Sequence, residues 1–271
     1  MKKLLGILVL GLILFGETES AAAVTFFKKG KTYSGEIQWD HKIKFKLPLG
    51  KWKLVEKSGW SVNALSAESV DLVLLEGNII KKTISFYKFD GGGKWVGYVQ
   101  QWLYEVTFKD PYDGCYERRE YYKVIVKKKG AFFNCLVIRH MEMFRELYQP
   151  DDPTTTSWSA TWRKYIEANN IIYPPIMLTS DHIYYAPSTT YNKSYGVTYG
   201  INPELHGASK TKFSTEESSE YHRTNIEKYP NAKKFMEEWI KLAAARHREF
   251  ETQVRATSKH VLDLSEYVTE S

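Results

Sequence analysis

Alternation of apolar and polar positions is the first signal along this chain. From Lys42 to Leu47, Lys42, Lys44 and Lys46 fall on one side and Ile43, Phe45 and Leu47 on the other. That is the period-two pattern of a half-buried strand. The lysine row either guards an edge against pairing with other chains or faces anions. Pro48-Leu49-Gly50 ends the run, and Trp52, Leu54 and Trp60 surround a further short strand or turn. Thr32 to Ile37 is a first short strand. Ser69 to Leu75 and Ile79 to Phe89 predict a hairpin turning at Glu76-Gly77-Asn78. In its second arm Ile80, Lys82, Ile84, Phe86 and Lys88 share the side expected to face the core.

Asp90-Gly91-Gly92-Gly93 breaks the chain as a hinge or turn, without the Lys-Ser/Thr sequel of a phosphate loop. Trp95, Tyr98, Val99, Trp102 and Val106 then repeat at helical spacing, although Tyr104, Val106 and Phe108 also suit a strand. Tyr121 to Val126 and Ala131 to Arg139 predict two strands around the basic turn Lys127-Lys128-Lys129-Gly130. His140 to Tyr148 takes helical spacing through Met141, Phe144, Leu147 and Tyr148.

Pro150-Asp151-Asp152-Pro153 and the Thr/Ser run after it read as a linker. Thr156 or Ser157 caps a helix with Trp158, Trp162, Tyr165 and Ile166 on one side, and Asn169-Asn170 stops it. Ile176 to Tyr185 and Tyr195 to Ile201 predict a second hairpin, closed by Asn202-Pro203. Thr215-Glu216-Glu217 opens a first helical segment. Pro230 opens a long one, with Phe235, Trp239, Leu242, Ala243, Arg246, Phe250 and Val254 on one stripe. Lys259 to Ser271 is a short strand or tail. The expected fold is α+β: a mainly antiparallel sheet with amphipathic covering helices, including a long C-terminal helix. Residues 24–271 are expected to form a single domain, with 150–157 as the place for any subdivision.

Composition adds a compartment. Met1-Lys2-Lys3, the apolar run Leu4 to Phe15 and the small residues Ser20-Ala21-Ala22-Ala23 have the three-part form of a secretory signal peptide over 1–23. The expected location is extracytoplasmic, periplasmic or secreted, with no integral membrane segment after cleavage. The formal net charge of +6 favours an anionic envelope component, glycan or protein as partner. No nucleic-acid motif is present, and nucleic acid is not expected as a partner.

Export and an even count imply that Cys115 and Cys135 form a disulfide. A hairpin turning at Lys129 sets Cys135 opposite Lys123, leaving Cys115 about 26 Å away along a straight strand. Pairing therefore requires the chain after Gly114 to fold back over the sheet. No Cys-x-x-Cys is present to support thiol exchange.

Motif chemistry is sparse. The seven histidines form no His-Glu-x-x-His pair and no close cluster with cysteine, so neither a metal nor a cofactor is expected. No Gly-x-Ser-x-Gly elbow occurs. His182, His206, Glu142 and Asp181 are the candidate catalytic groups. Asp181 and His182, as neighbours on a strand, point to opposite faces and cannot form a pair by themselves. Trp158, Trp162, Tyr191 and Tyr195 are candidate ligand-stacking rings, with core packing as their alternative role.

Two functions fit. The first is a non-catalytic exported binding or envelope-associated protein of unknown ligand. The alternative is an extracytoplasmic hydrolase with a site assembled from distant His and carboxylate residues. An aromatic groove without converging titratable groups favours the first. A deep pocket joining His182 or His206 to Glu142 or another carboxylate favours the second.

Overall fold

The computed structural model describes residues 27–28, 30–39, 44–62, 65–91, 122–129, 132–148, 156–186, 193–212, 215–256 and 261–263. The expected signal peptide, the helix or strand through Trp95 to Phe108, Cys115 and Tyr191 lie outside the described residues.

Long strands rich in β-branched and aromatic residues build the main sheet. They are β4 (Trp52–Val62), β5 (Leu65–Glu76), β6 (Ile79–Gly91), β7 (Lys123–Lys129), β8 (Phe132–Glu142), β9 (Ile176–Ala186) and β10 (Lys193–Ile201). With the short β1 (Thr32–Tyr33) they form eight strands in the order β1-β4-β5-β6-β10-β9-β8-β7. Every neighbouring pair is antiparallel. A second sheet joins β2 (Glu36–Gln38) antiparallel to β3 (Lys44–Lys46), and β3 parallel to β11 (Val261–Asp263). The helices are α1 (Met143–Tyr148), α2 (Thr156–Ala168) and the long C-terminal α3 (Pro230–Ala256). A mixed α+β fold with a large antiparallel sheet is thus what the periodicities predict.

Each face of the main sheet has its own core. On one, Leu54, Val70, Leu72, Ile84, Phe86, Leu136, Ile138 and Val197 are buried beneath Met236, Trp239, Ala243, Phe250 and Val254 of α3. On the other, Val55, Val73, Ile80 and Met177 pack against Met143 and Leu147 of α1 and Trp162 and Ile166 of α2. Both helices therefore bury the stripe that their 3.6-residue spacing marks.

The hairpin of β5 and β6 turns where expected, with Glu76 opposite Ile79 and Gly77 at φ 63°. Its faces differ from the simple alternation. The register shifts between Leu74 and Leu75, so Leu74 pairs with Lys82 while Leu75 pairs with Ile80. The extra residue moves Ile80 to the second core while Ile84 and Phe86 stay in the first. Lys82 stands on the α3 side of the sheet with Ile84 and Phe86, as simple alternation expects.

Two helical expectations are corrected. His140 and Met141 lie on β8, whose ladder with β9 runs to Glu142 opposite Ile176, and the helix begins only at Met143. The backbone partners offered by β9 outweigh weak helical spacing. Residues after Thr215 form turns and a 3-10 segment at Ile226–Lys228 rather than a helix. The Glu216 N–H donates to Glu142 Oε2 at 2.9 Å, and His140 Nε2 meets the Glu216 carbonyl at 3.1 Å. These tertiary bonds fix the segment to the end of β8.

The hairpin register around the expected Cys115–Cys135 disulfide also differs from the expectation. The hairpin register sets Cys135 opposite Val126, not Lys123. The register itself does not set Cys135 against Cys115, which lies outside the described residues. Cys135 is fully buried in β8, opposite Ile183 of β9.

Candidate functional site

A cleft of about 310 Å³ opens between the α3 side of the sheet and the loop after β10. Its apolar walls include Trp52, Phe235, Trp239 and Leu242. Five titratable side chains line it: Lys82 from β6, Tyr199 from β10, His206 from the 3-10 turn Pro203–His206, and Glu238 and Arg246 from α3. Glu238 and Arg246 are eight residues apart, close to two helical turns, and so share a side of α3. A half-open, more apolar than polar cleft with a few charged groups on its walls has the form of a small-molecule site.

His206 is held from the backbone upward. Asn202 caps the 3-10 turn by accepting the Glu204 N–H on Oδ1 at 3.1 Å, and its Nδ2 donates to the Ile80 carbonyl at 3.0 Å. The Asn202 carbonyl lies 2.8 Å from His206 Nδ1. A carbonyl only accepts, so Nδ1 carries the proton, and in the neutral ring Nε2 holds the lone pair. Nε2 is buried and has no hydrogen-bond partner among the described residues. Burial pushes His206 below its usual 6.5, with Lys82 and Lys81 acting in the same direction. The Asn202 carbonyl and Glu76 oppose that shift. A neutral imidazole with an unused nitrogen is the protonation state a general base requires.

Arg246 is only 5% exposed. Its guanidinium lies 4.9 Å from the centre of the Tyr199 ring and 5.2 Å from that of Trp239. Both distances are within cation–π range. The cleft therefore has an oriented positive group in a low-dielectric wall.

Further buried polar residues come from distant parts of the chain: Asn134, His182, Glu220 and His247. The His182 and His247 rings lie 5.4 Å apart, and His182 Nε2 is 3.1 Å from Ser180 Oγ. Burial holds His182 well below 6.5, with His247 and Arg246 adding repulsion. Its ring also meets Tyr199 edge-on at 5.5 Å, so it supports the wall of the cleft without lining it. Asn134 is fully buried, and its amide atoms find no partner among the described residues.

The other candidates are dispersed. Asp181 points to the opposite face from His182 and lies 3.7 Å from Arg139 Nε. Glu142 anchors the turn at Glu216. Tyr195 is buried in the first core. Trp158 and Trp162 pack together at 5.6 Å in the second. Thus, among the described sequence candidates, His206 is the one that lines the cleft. Lys82, Glu238 and Arg246 were missed as site residues. Their only sequence signals were the helical stripe that includes Arg246 and a charged position in the otherwise apolar arm of β6.

The second core contains its own titratable centre. Asp71 is 2% exposed and accepts a hydrogen bond from Ser85 Oγ. Burial pushes its carboxyl up to about 6, and Glu56 adds to this. Ser85 and the indoles of Trp158 and Trp162 pull it back. The folded pKa exceeds the unfolded one, so this group's stabilising contribution is complete below about 3.8 and is lost as pH rises through about 6. Asp71→Asn is accordingly expected to stabilise the fold at pH 7 by about 1–3 kcal/mol and to leave it nearly unchanged at pH 4. Urea unfolding at the two pH values measures this; equal effects at both would contradict it.

Among the described residues, no group of three or more His, Cys, Asp or Glu side chains is placed to hold a metal ion. No helix among them is long and apolar enough to cross a membrane. No family model, curated protein or solved structure matches this chain.

Proposed function

We propose that the cleft is the active site of a hydrolase acting outside the cytoplasm. One observation carries this reading: a single cleft is lined by His206, by a carboxylate, Glu238, and by two cations, Lys82 and Arg246. Aromatic walls alone favour a passive binding protein; convergence of a neutral histidine with charged groups favours chemistry. The placement outside the cytoplasm rests on the Met1-to-Ala23 pattern.

No serine or cysteine lines the cleft among the described residues. Thr83 lines it, but its hydroxyl lies against Gly200, 2.3 Å from where a Cβ would stand. Water is therefore the nucleophile in this scheme. His206 Nε2 takes a proton as water adds to an acyl carbon. The charge that develops on the acyl oxygen is met by Arg246 and Lys82. Collapse breaks the bond to the leaving oxygen, which takes the proton back from His206, releasing an acid and an alcohol. Glu238 orients the water and limits the excess positive charge.

A panel of aryl esters with neutral and carboxylate-bearing acyl groups tests the reading. Turnover by the wild-type chain is expected, with Glu238→Gln reducing kcat by about tenfold and leaving KM nearly unchanged. A protein that turns over no ester, yet retains a small molecule in the cleft, would instead be a binding protein.

A further inference from the structure

We propose that the loop between β3 and β4 forms a docking surface for an anionic lipid bilayer. The proposal concerns adhesion and stands whether or not the cleft hydrolyses esters. Leu49, in that loop, is 82% exposed, the most exposed large apolar side chain among the described residues. Ile172 and Phe144 follow at 52% and 47%. One apolar side chain at a surface needs no explanation by itself. Three further observations set this one apart.

The first is that the loop is built to present it. Pro48 fixes its own φ, and its carbonyl accepts the Trp52 Nε1–H at 3.0 Å. Both residues are buried. Gly50, at φ 137°, lies against the sheet: a Cβ there would stand 2.8 Å from Leu74 Cδ1. The turn is held from beneath, and Leu49 points away from it into solvent.

The second is charge. From Phe27 to Lys57 the chain has nine lysines against three acidic residues, an excess of six that equals the net charge of the whole chain. The fold brings part of this excess to the loop. Lys51 follows it directly, Thr32 of β1 pairs with Lys53, and the Lys31 carbonyl accepts the Leu54 N–H at 3.4 Å. Lys31, Lys51 and Lys53 are exposed and form no ion pair among the described residues. Glu36 and Glu56 are the carboxylates on the neighbouring strand segments, and Glu76, two residues beyond Leu74, is paired with Lys81 at 2.7 Å. An apolar tip on a cationic surface suits a partner with negative headgroups above a hydrocarbon layer. A hydrated polyanion would use the lysines and leave the leucine in water.

The third is position. Pro48 and Trp52, which flank Leu49, line the cleft. A bilayer held by Leu49 therefore lies beside the rim of that cleft.

Co-sedimentation of the full chain, purified after export, with lipid vesicles tests the surface. Vesicles of equal parts phosphatidylcholine and phosphatidylglycerol are expected to bind it about tenfold or more tightly than pure phosphatidylcholine. Most of that difference should disappear in about 0.5 M salt. The double variant Lys51→Gln, Lys53→Gln should weaken binding to the mixed vesicles about tenfold or more. Leu49→Ser, at unchanged charge, should weaken it about tenfold, and Leu49→Trp should tighten it. Leu49 is exposed, so both substitutions leave the core untouched.

Equal binding to the two kinds of vesicle overturns the proposal. So does vesicle binding that Leu49→Ser and the lysine double variant both leave unchanged, which would assign attachment to another part of the chain, such as the apolar run Leu4 to Phe15. Binding to soluble dextran sulfate as tight as to the mixed vesicles, with Leu49→Ser affecting neither, would make this a polyanion surface and overturn the bilayer as partner.

Discussion

His206→Gln is expected to lower kcat by about 10²- to 10⁴-fold on any ester the wild-type chain hydrolyses, the range for loss of a general base. The size follows from the role of one atom. Nδ1 is committed to the Asn202 carbonyl, so Nε2 is the nitrogen that can take a proton. Glutamine retains a side-chain amide of similar reach but has no basic nitrogen. Substrate binding by Arg246, Lys82 and the apolar wall is preserved, so KM should move little.

The pH profile is the sharper readout. His206 acts when deprotonated, and burial puts its ionisation below 6.5. The wild-type rate should therefore be flat at neutral pH and fall as pH drops through a value below 6.5. That acid limb should vanish in the residual activity of the variant. A variant with unchanged kcat, or one that keeps the same acid limb, would remove His206 from the mechanism.

Gly196→Ala is expected to destabilise the fold by about 3 kcal/mol or more, although it adds one methyl group. Gly196 pairs directly with Tyr87 across β10 and β6. A Cβ there would stand 1.9 Å from two atoms of the Tyr87 ring and 2.4 Å from its hydroxyl oxygen. The ring lies over the glycine and fills the missing side-chain position. Burial pushes the Tyr87 phenol up, and nearby Asp181 reinforces this, so the hydroxyl stays neutral in the sheet's second face.

Gly200→Ala provides the contrast. Its Cβ would meet Thr83 Oγ1 at 2.3 Å and Met177 Cε at 2.8 Å, both ends of side chains that can rotate. A smaller loss, about 1–2 kcal/mol, is expected. Urea midpoints for both variants measure the difference. In a Tyr87→Ala background, the additional cost of Gly196→Ala should fall below about 1 kcal/mol. An undiminished cost would show that the ring is not the obstacle.

The strands and helices were largely legible because their signals are local. The β5–β6 turn at Gly77, the apolar side of α2 with Trp162 and Ile166 and the stripe from Phe235 to Val254 each follow from residues within a turn or two. Periodicity also separated Asp181 from His182. Local spacing failed where tertiary partners decided the conformation. β9 kept His140 and Met141 in a strand, and Glu142 captured the backbone at Glu216. The one-residue shift near Leu74, which moved Ile80 between cores, left no periodic trace.

The site was less legible than the fold for a physical reason. Hydrophobic period reports which side of an element is buried, but not which elements meet. His206, Lys82 and Arg246 lie far apart in sequence, and each looks ordinary in its own segment. By itself the sequence determined the α+β class, the two hairpins and the long covering helix, since backbone period and side-chain polarity act over a few residues. Only the tertiary structure decided that α3, β6 and the Asn202 turn enclose one cleft, because their packing over a shared sheet face is set by contacts among residues distant along the chain.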